Sequence, residues 1–189
     1  MSNIESENSL IQVFMEQGQN LYDAGNYEKA LQEFEMALSF DSQYAPAYFG
    51  RARCYFQLDE DEKRAADEYS KAIELDPNYI DAYLERSRCY SHLGLLERAI
   101  QDTTKVIELN PHCGLAYGLR SSCFIALDRL AEATSDIKLI QKMDPQNVEQ
   151  YYAQQGWLLF RAKKDFEKAA SLNPDFRSVA QQKSKSNFF

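Results

Sequence analysis

One passage of this chain, KAIELDPNYIDAY at Lys71–Tyr83, returns along its length, and that recurrence limits the possible folds more than any other feature. It comes back as KVIELNPHCGLAY at Lys105–Tyr117 and, one residue longer, as KLIQKMDPQNVEQY at Lys138–Tyr151. EMALSFDSQYAPAY at Glu35–Tyr48 is a weaker copy, and KAASLNPDF at Lys168–Phe176 is a fragment. Each copy ends one apolar stripe, passes a proline or its substitute, and opens the next stripe. A period of about 34 residues marks a helical unit that cannot bury its apolar face alone and must stack on its neighbours.

Within each period the apolar residues take helical spacing, beginning at Ser9. Leu10, Phe14, Leu21 and Tyr22 share one stripe; Gly25-Asn26 breaks it; Tyr27, Ala30, Leu31, Phe34, Ala37 and Leu38 form a second. Two helices joined by a tight turn make an antiparallel hairpin. The design repeats with Tyr48, Tyr55 and Phe56 answered by Ala65, Tyr69, Ala72 and Ile73. It repeats again with Tyr83, Tyr90 and Leu93 answered by Ala99, Thr103, Val106 and Ile107. Tyr117, Phe124 and Leu127 are answered in turn by Ala133, Ile137, Ile140 and Met143. Pro77, Pro111 and Pro145 stop the second helices, because proline donates no backbone hydrogen bond. Asp76, Asn110 and Asp144 precede them as helix-exit residues, Gly94 supplies one inner turn, and Asp59 and Asp128 fill that role elsewhere. Ala30, Ala65, Ala99 and Ala133 recur in one slot, where a small side chain lets helices approach closely. Residues 1–8 are polar and aperiodic, so they read as a disordered lead-in; residues 175–189 read as a polar tail.

Charge and cysteine usage narrow the function. A net charge of −8 repels phosphate backbones and argues against nucleic acid as the main ligand. No apolar run approaches the roughly 20 residues that span a bilayer. MSNIESENSLIQ lacks the basic flank and apolar core of a secretion leader, so the expected location is the cytoplasm. Cys54, Cys89 and Cys123 are spaced by 35 and 34 residues, the period itself. Equivalent helices pack about 8–10 Å apart, beyond the roughly 7 Å that a disulfide spans between Cα atoms. They are expected as small buried fillers rather than a bridge or metal site, and no cofactor or metal is expected. The two histidines, His92 and His112, sit beside no nucleophile motif, and the chain has no phosphate loop or HExxH. The expected class is therefore not an enzyme.

With this pattern in view, the chain resembles the tetratricopeptide-repeat (TPR) family. Its motif is matched by Phe14, Gly18, Leu21, Ala30, Phe34 and Ala37 in the first unit, with Ser42 where proline is usual. Tyr48, Ala52, Tyr55, Ala65, Tyr69, Ala72 and Pro77 match in the second; Tyr83, Ser87, Tyr90, Ala99, Val106 and Pro111 in the third. Tyr117, Ser121, Phe124, Ala133, Ile137, Ile140 and Pro145 match in the fourth. The resemblance implies an all-α, right-handed superhelical solenoid of helix hairpins. Its repeats fall at about 11–44, 45–79, 80–113 and 114–147, with an atypical unit at 148–174. Only Arg161–Asp165 separates the halves of that last unit, so it is either one long helix or a shortened hairpin.

The resemblance also implies a concave groove and a partner for it. By its register the groove is lined by Phe49, Gly50, Arg53, Phe56 and Gln57, by Leu84, Glu85, Arg88 and His92, and by Leu119, Ser122 and Ile125. Gly50 and Gly118 would leave room for a ligand backbone. A protein or peptide partner is expected, with the chain acting as an adaptor. Some co-chaperones of the family grip a terminal carboxylate through Lys, Asn and Arg; here those slots hold Met15, Gln19, Gly50, Asp81 and Glu85, so that role is not expected. Arg51, Arg86 and Arg120 recur at the period where the family usually has leucine. They either reach carboxylates within the fold or form a row of forks for an acidic ligand. Trp157-Leu158-Leu159-Phe160 covers more than one helix face and either caps the stack or, through Trp157 and Phe160, joins a second copy of the chain.

Overall fold

A computed structural model describes residues 2–58 and 61–143, with residues 2–7 given by backbone alone. Every described element is a helix: α1 (Ser2–Asp23), α2 (Tyr27–Phe40), α3 (Ala45–Leu58), α4 (Glu62–Leu75), α5 (Ile80–His92), α6 (Leu96–Leu109), α7 (Gly114–Ala126) and α8 (Leu130–Met143). The atypical unit at 148–174, with Trp157 and Phe160, and the tail lie outside the described residues. The first helix begins at Ser2, so it takes in residues 2–8, which the apolar spacing had left out as a disordered lead-in. Those residues extend the helical backbone without adding to the apolar stripe, which is why the stripe could not announce them.

The chain divides into two compact units, Met1–Lys105 and Val106–Phe189, with the boundary inside α6. In the first unit α1 packs on α2, α2 on α3, α3 on α4, and α4 on α5. The recurring alanines do what their size suggests. Ala30, Ala65 and Ala99 are 0–1% exposed, and Phe34 and Tyr69 fill the space beside the first two. Ile11, Ala37 and Ala47 form one apolar cluster, with Phe14, Met15, Leu38 and Tyr44 against it. Val13 on α1 is 43% exposed, whereas Ala47 and Ala82, one and two periods on, are 0% exposed. Val13 has no preceding hairpin to cover it, and the covered positions must be small for one helix to nest on the next. In the second unit, Val106, Ala116, Cys123, Phe124, Ala133 and Ile140 make an equivalent core.

Two kinds of turn recur. Inside hairpins the chain reverses through a left-handed residue: Gly25 (φ 77°), Gly94 (φ 72°) and Asp128 (φ 59°). In each, the next residue's N–H reaches back to a carbonyl of the last helical turn, as Asn26 to Leu21 (2.9 Å), Leu95 to Tyr90 (2.8 Å) and Arg129 to Phe124 (2.8 Å). These bonds satisfy carbonyls that a helix end leaves open. Between hairpins the exit residue does more than end a helix. Asp41, Asp76 and Asn110 each accept, through a side-chain oxygen, the N–H two residues on, at 2.8, 3.0 and 3.1 Å. This Asx turn explains how the first unit bends at Asp41-Ser42 without a proline.

Cys54, Cys89 and Cys123 are buried and unpaired, as the period suggested. Burial pushes the thiols of Cys54 and Cys89 up to about 12, in Cys54 against the opposing pull of Arg53. At neutral pH they stay protonated and unreactive. A thiol reagent followed by mass spectrometry should therefore modify half-buried Cys113 first, with Cys54 and Cys89 at least about a hundredfold slower until the chain is unfolded. Equal rates at all sites would contradict this packing.

Candidate functional site

The first helices of the first unit, α1, α3 and α5, share a face, and the side chains assigned to the groove meet there. On α3, Phe49, Arg53 and Phe56 fall at i, i+4 and i+7, one side of a helix. Phe49 leans on Tyr69 of α4 (5.5 Å between centroids) and on Tyr79, which precedes α5 (5.1 Å). The Arg53 guanidinium lies 3.8 Å from the centre of the Tyr22 ring and 5.9 Å from that of Phe49. Arg53 Nη1 donates to Gln19 Oε1 of α1 at 3.0 Å, and Gln19 Nε2 donates to Asp23 Oδ1 at 2.7 Å. Phe56 meets the ring of His92 on α5 at 5.9 Å, and His92 Nδ1 stands 3.5 Å from Glu62 Oε1. Arg88 is 42% exposed, and its Nε lies 3.6 Å from Glu85 Oε1, too long for a hydrogen bond. That Nε is buried and has no hydrogen-bond partner. Gln57 is exposed beside Phe56.

Two lining assignments do not hold. Gly50 is buried and faces the core: a Cβ built on it would come 2.6 Å from Cε1 of Phe34. It makes room for Phe34, not for a ligand backbone. Leu84 is 6% exposed and belongs to the core as well. In the second unit, Gly118 is also buried, and its carbonyl accepts the hydroxyls of Ser121 (2.9 Å) and Ser122 (3.0 Å). Ser122 thus bonds within its own helix, and the face of α1, α3 and α5 does not contain it.

The arginine ladder resolves to its structural reading. Arg86 Nε and Nη2 donate to the two carboxylate oxygens of Asp102 at 2.8 and 2.7 Å, while Nη1 reaches Ser70 Oγ at 2.9 Å. Arg120 grips Asp136 in the same two-pronged way, at 2.9 and 2.7 Å. Arg51 binds Glu68, which Lys71 also meets at 2.8 Å. The three carboxylates are only 3–7% exposed. Burial pulls the Arg86 guanidinium down, and the hydrogen bonds and charge of Asp102 outweigh it, so its net direction is up. Burial raises the Asp102 carboxyl against the pull of Arg86. The signal for these pairs is present in the sequence, as an acid 16 or 17 residues after each arginine; the fork reaches from first helix to second.

No described helix is long and apolar enough to cross a membrane. Among the described residues no group of three or more His, Cys, Asp or Glu is placed to hold a metal. Helix hairpins nested at a period of about 34 residues, with a polar–aromatic face on their first helices, define a helical-repeat protein. Two family models, both described as tetratricopeptide repeat, match residues 15–80 and 68–101. The chain is a member of the tetratricopeptide-repeat family, and its all-α fold is of that class. No curated protein matches it. Among solved structures it is similar to the first TPR of Spaghetti (RPAP3) bound to HSP90 peptide SRMEEVD. The identity there is 26% and the TM-score 0.61, over 64% of this chain and 94% of that one. It is similar to YrrB, a TPR protein described as having an unusual peptide-binding site, at 22% identity and TM-score 0.68 over 91% of this chain and 90% of that one. It is also similar to MamA from Desulfovibrio magneticus RS-1, at 17% identity and TM-score 0.74 over 95% and 98%. Proteins of this family are in general repeat scaffolds for protein interaction rather than catalysts.

Proposed function

We propose that this chain is a non-catalytic adaptor that holds a peptide or helix of another protein against the α1–α3–α5 face of its first unit. The observation that carries the reading is the state of Arg53 and Arg88. Arg53 is fixed flat on Tyr22 between two phenylalanines and donates one hydrogen bond, to Gln19. Arg88 presents a charged, half-exposed head whose Nε has no acceptor. Fixed aromatic and arginine side chains are the residues that anchor protein interfaces. The solved relatives that carry peptides, Spaghetti and YrrB, support the same use of the fold. A reducing compartment such as the cytosol suits the four unpaired cysteines.

Affinity capture with mass spectrometry tests this. The Arg53→Ala/Arg88→Ala double variant should lose about tenfold in recovery of the partners that the native chain captures. Its far-UV circular dichroism should be unchanged. Equal recovery by the folded double variant would place the partner surface elsewhere.

A further inference from the structure

The same face has a chemistry that narrows its ligand. Phe49 and Phe56 are seven residues apart, about 10 Å along the axis of α3. A segment in polyproline-II geometry returns to the same face every three residues and advances about 9 Å in doing so. Apolar side chains at i and i+3 of such a segment can therefore meet both rings. The two side chains between them then fall on either flank, one beside Arg53 on α3 and the other toward Arg88 on α5. Both arginines keep donors for them: Arg53 uses Nη1 on Gln19, and Arg88 faces only Glu85, at 3.6 Å. Stacking on Tyr22 fixes the plane of the Arg53 fork, and a fixed fork matches a carboxylate with two parallel hydrogen bonds.

We propose that this groove selects an internal acidic segment whose carboxylates are bracketed by apolar residues, with the core pattern apolar–Glu–Glu–apolar. The inference rests on the adaptor reading and adds the chemistry of the segment. Glu85 is the groove's own competitor for Arg88, and a bound glutamate displaces it. Recognition uses side-chain carboxylates, so blocking the peptide's own C-terminal carboxylate costs nothing. A nucleic acid is a poor rival for the same arginines, because the chain carries a net charge of −8.

Fluorescence anisotropy with short dye-labelled, C-terminally amidated peptides tests it. The Leu-Glu-Glu-Leu core should bind about tenfold more tightly than a Leu-Gln-Gln-Leu core. The same peptide with a free C-terminus should bind within about twofold of the amide. Arg53→Gln and Arg88→Gln should each erase most of the preference for glutamate over glutamine, while Glu85→Gln should tighten the glutamate core about two- to threefold. Equal binding of the two cores overturns the acidic selection. If that equal binding is lost in Phe49→Ala/Phe56→Ala, the groove itself still stands. No binding by any of these peptides, or binding that none of the arginine and phenylalanine variants changes, overturns the proposal. The capture experiment above judges the adaptor reading separately.

Discussion

Replacing Asp102 with alanine is expected to cost about 3–5 kcal/mol of unfolding free energy. The carboxylate holds both prongs of Arg86 at 2.7–2.8 Å and is itself 5% exposed. Without it a guanidinium at 16% side-chain exposure is left in the hairpin with only Ser70 as partner. Water cannot fully replace the lost acceptor, so the buried charge stays uncompensated. The pair as a whole contributes far less than this loss suggests, because removing two charges from water offsets most of their attraction. The raised carboxyl of Asp102 expresses the same balance, with burial ahead of the partner's pull. Arg86→Met combined with Asp102→Leu should therefore recover most of the stability, to within about 1 kcal/mol of the native chain. Urea unfolding followed by circular dichroism reads the difference: the single variant's midpoint should fall by about 1–2 M and the double variant's by less than about half of that. A single variant that unfolds with the native midpoint would show that the pair is not buried as described.

The second large effect concerns the ring of Phe34. It is 1% exposed, and it lies between Gly18 of α1 and Gly50 of α3. A Cβ on Gly18 would come 2.7 Å from Cε1 of the ring, and one on Gly50 would come 2.6 Å from the same atom. Gly50→Ala gains about 1 kcal/mol of helix propensity. It must then displace a ring that Gly18 backs on the other side, an overpacking cost of about 1–3 kcal/mol or more. The net expectation is a loss of about 1–2 kcal/mol for Gly50→Ala, and a larger loss when Gly18→Ala is added. Phe34→Leu shortens the intruding ring, so Gly50→Ala in that background should cost at least about 1 kcal/mol less. If the two changes simply added, the clamp on Phe34 would be refuted.

These two sites show where residue order informs and where it does not. The period, the helix stripes, the four small alanines and the buried cysteines were all legible, because each depends on local spacing and on side-chain size at a repeated slot. The ion pairs were half legible: Arg51, Arg86 and Arg120 drew attention by recurring, yet Glu68, Asp102 and Asp136 passed as ordinary surface acids. Acids on helices usually face water, and only the rotation of α4, α6 and α8 about their own axes turns these inward. Gly50 was read the wrong way for a related reason. A missing side chain marks a close approach, but not which body approaches; here it is Phe34 of α2.

For the face of α1, α3 and α5, sequence chose the helix and largely the residues, since Phe49, Arg53 and Phe56 follow from helical spacing alone. Their partners were decided in three dimensions. That Arg53 stacks on Tyr22 and bonds Gln19, 34 residues earlier, and that Leu84 turns to the core while Arg88 stays half open, depends on how neighbouring hairpins nest. Repetition along a chain fixes what kind of object forms, because every unit must hide the same stripe. The contacts of any one side chain depend on helix rotation and separation, which are set by packing between units far apart in sequence.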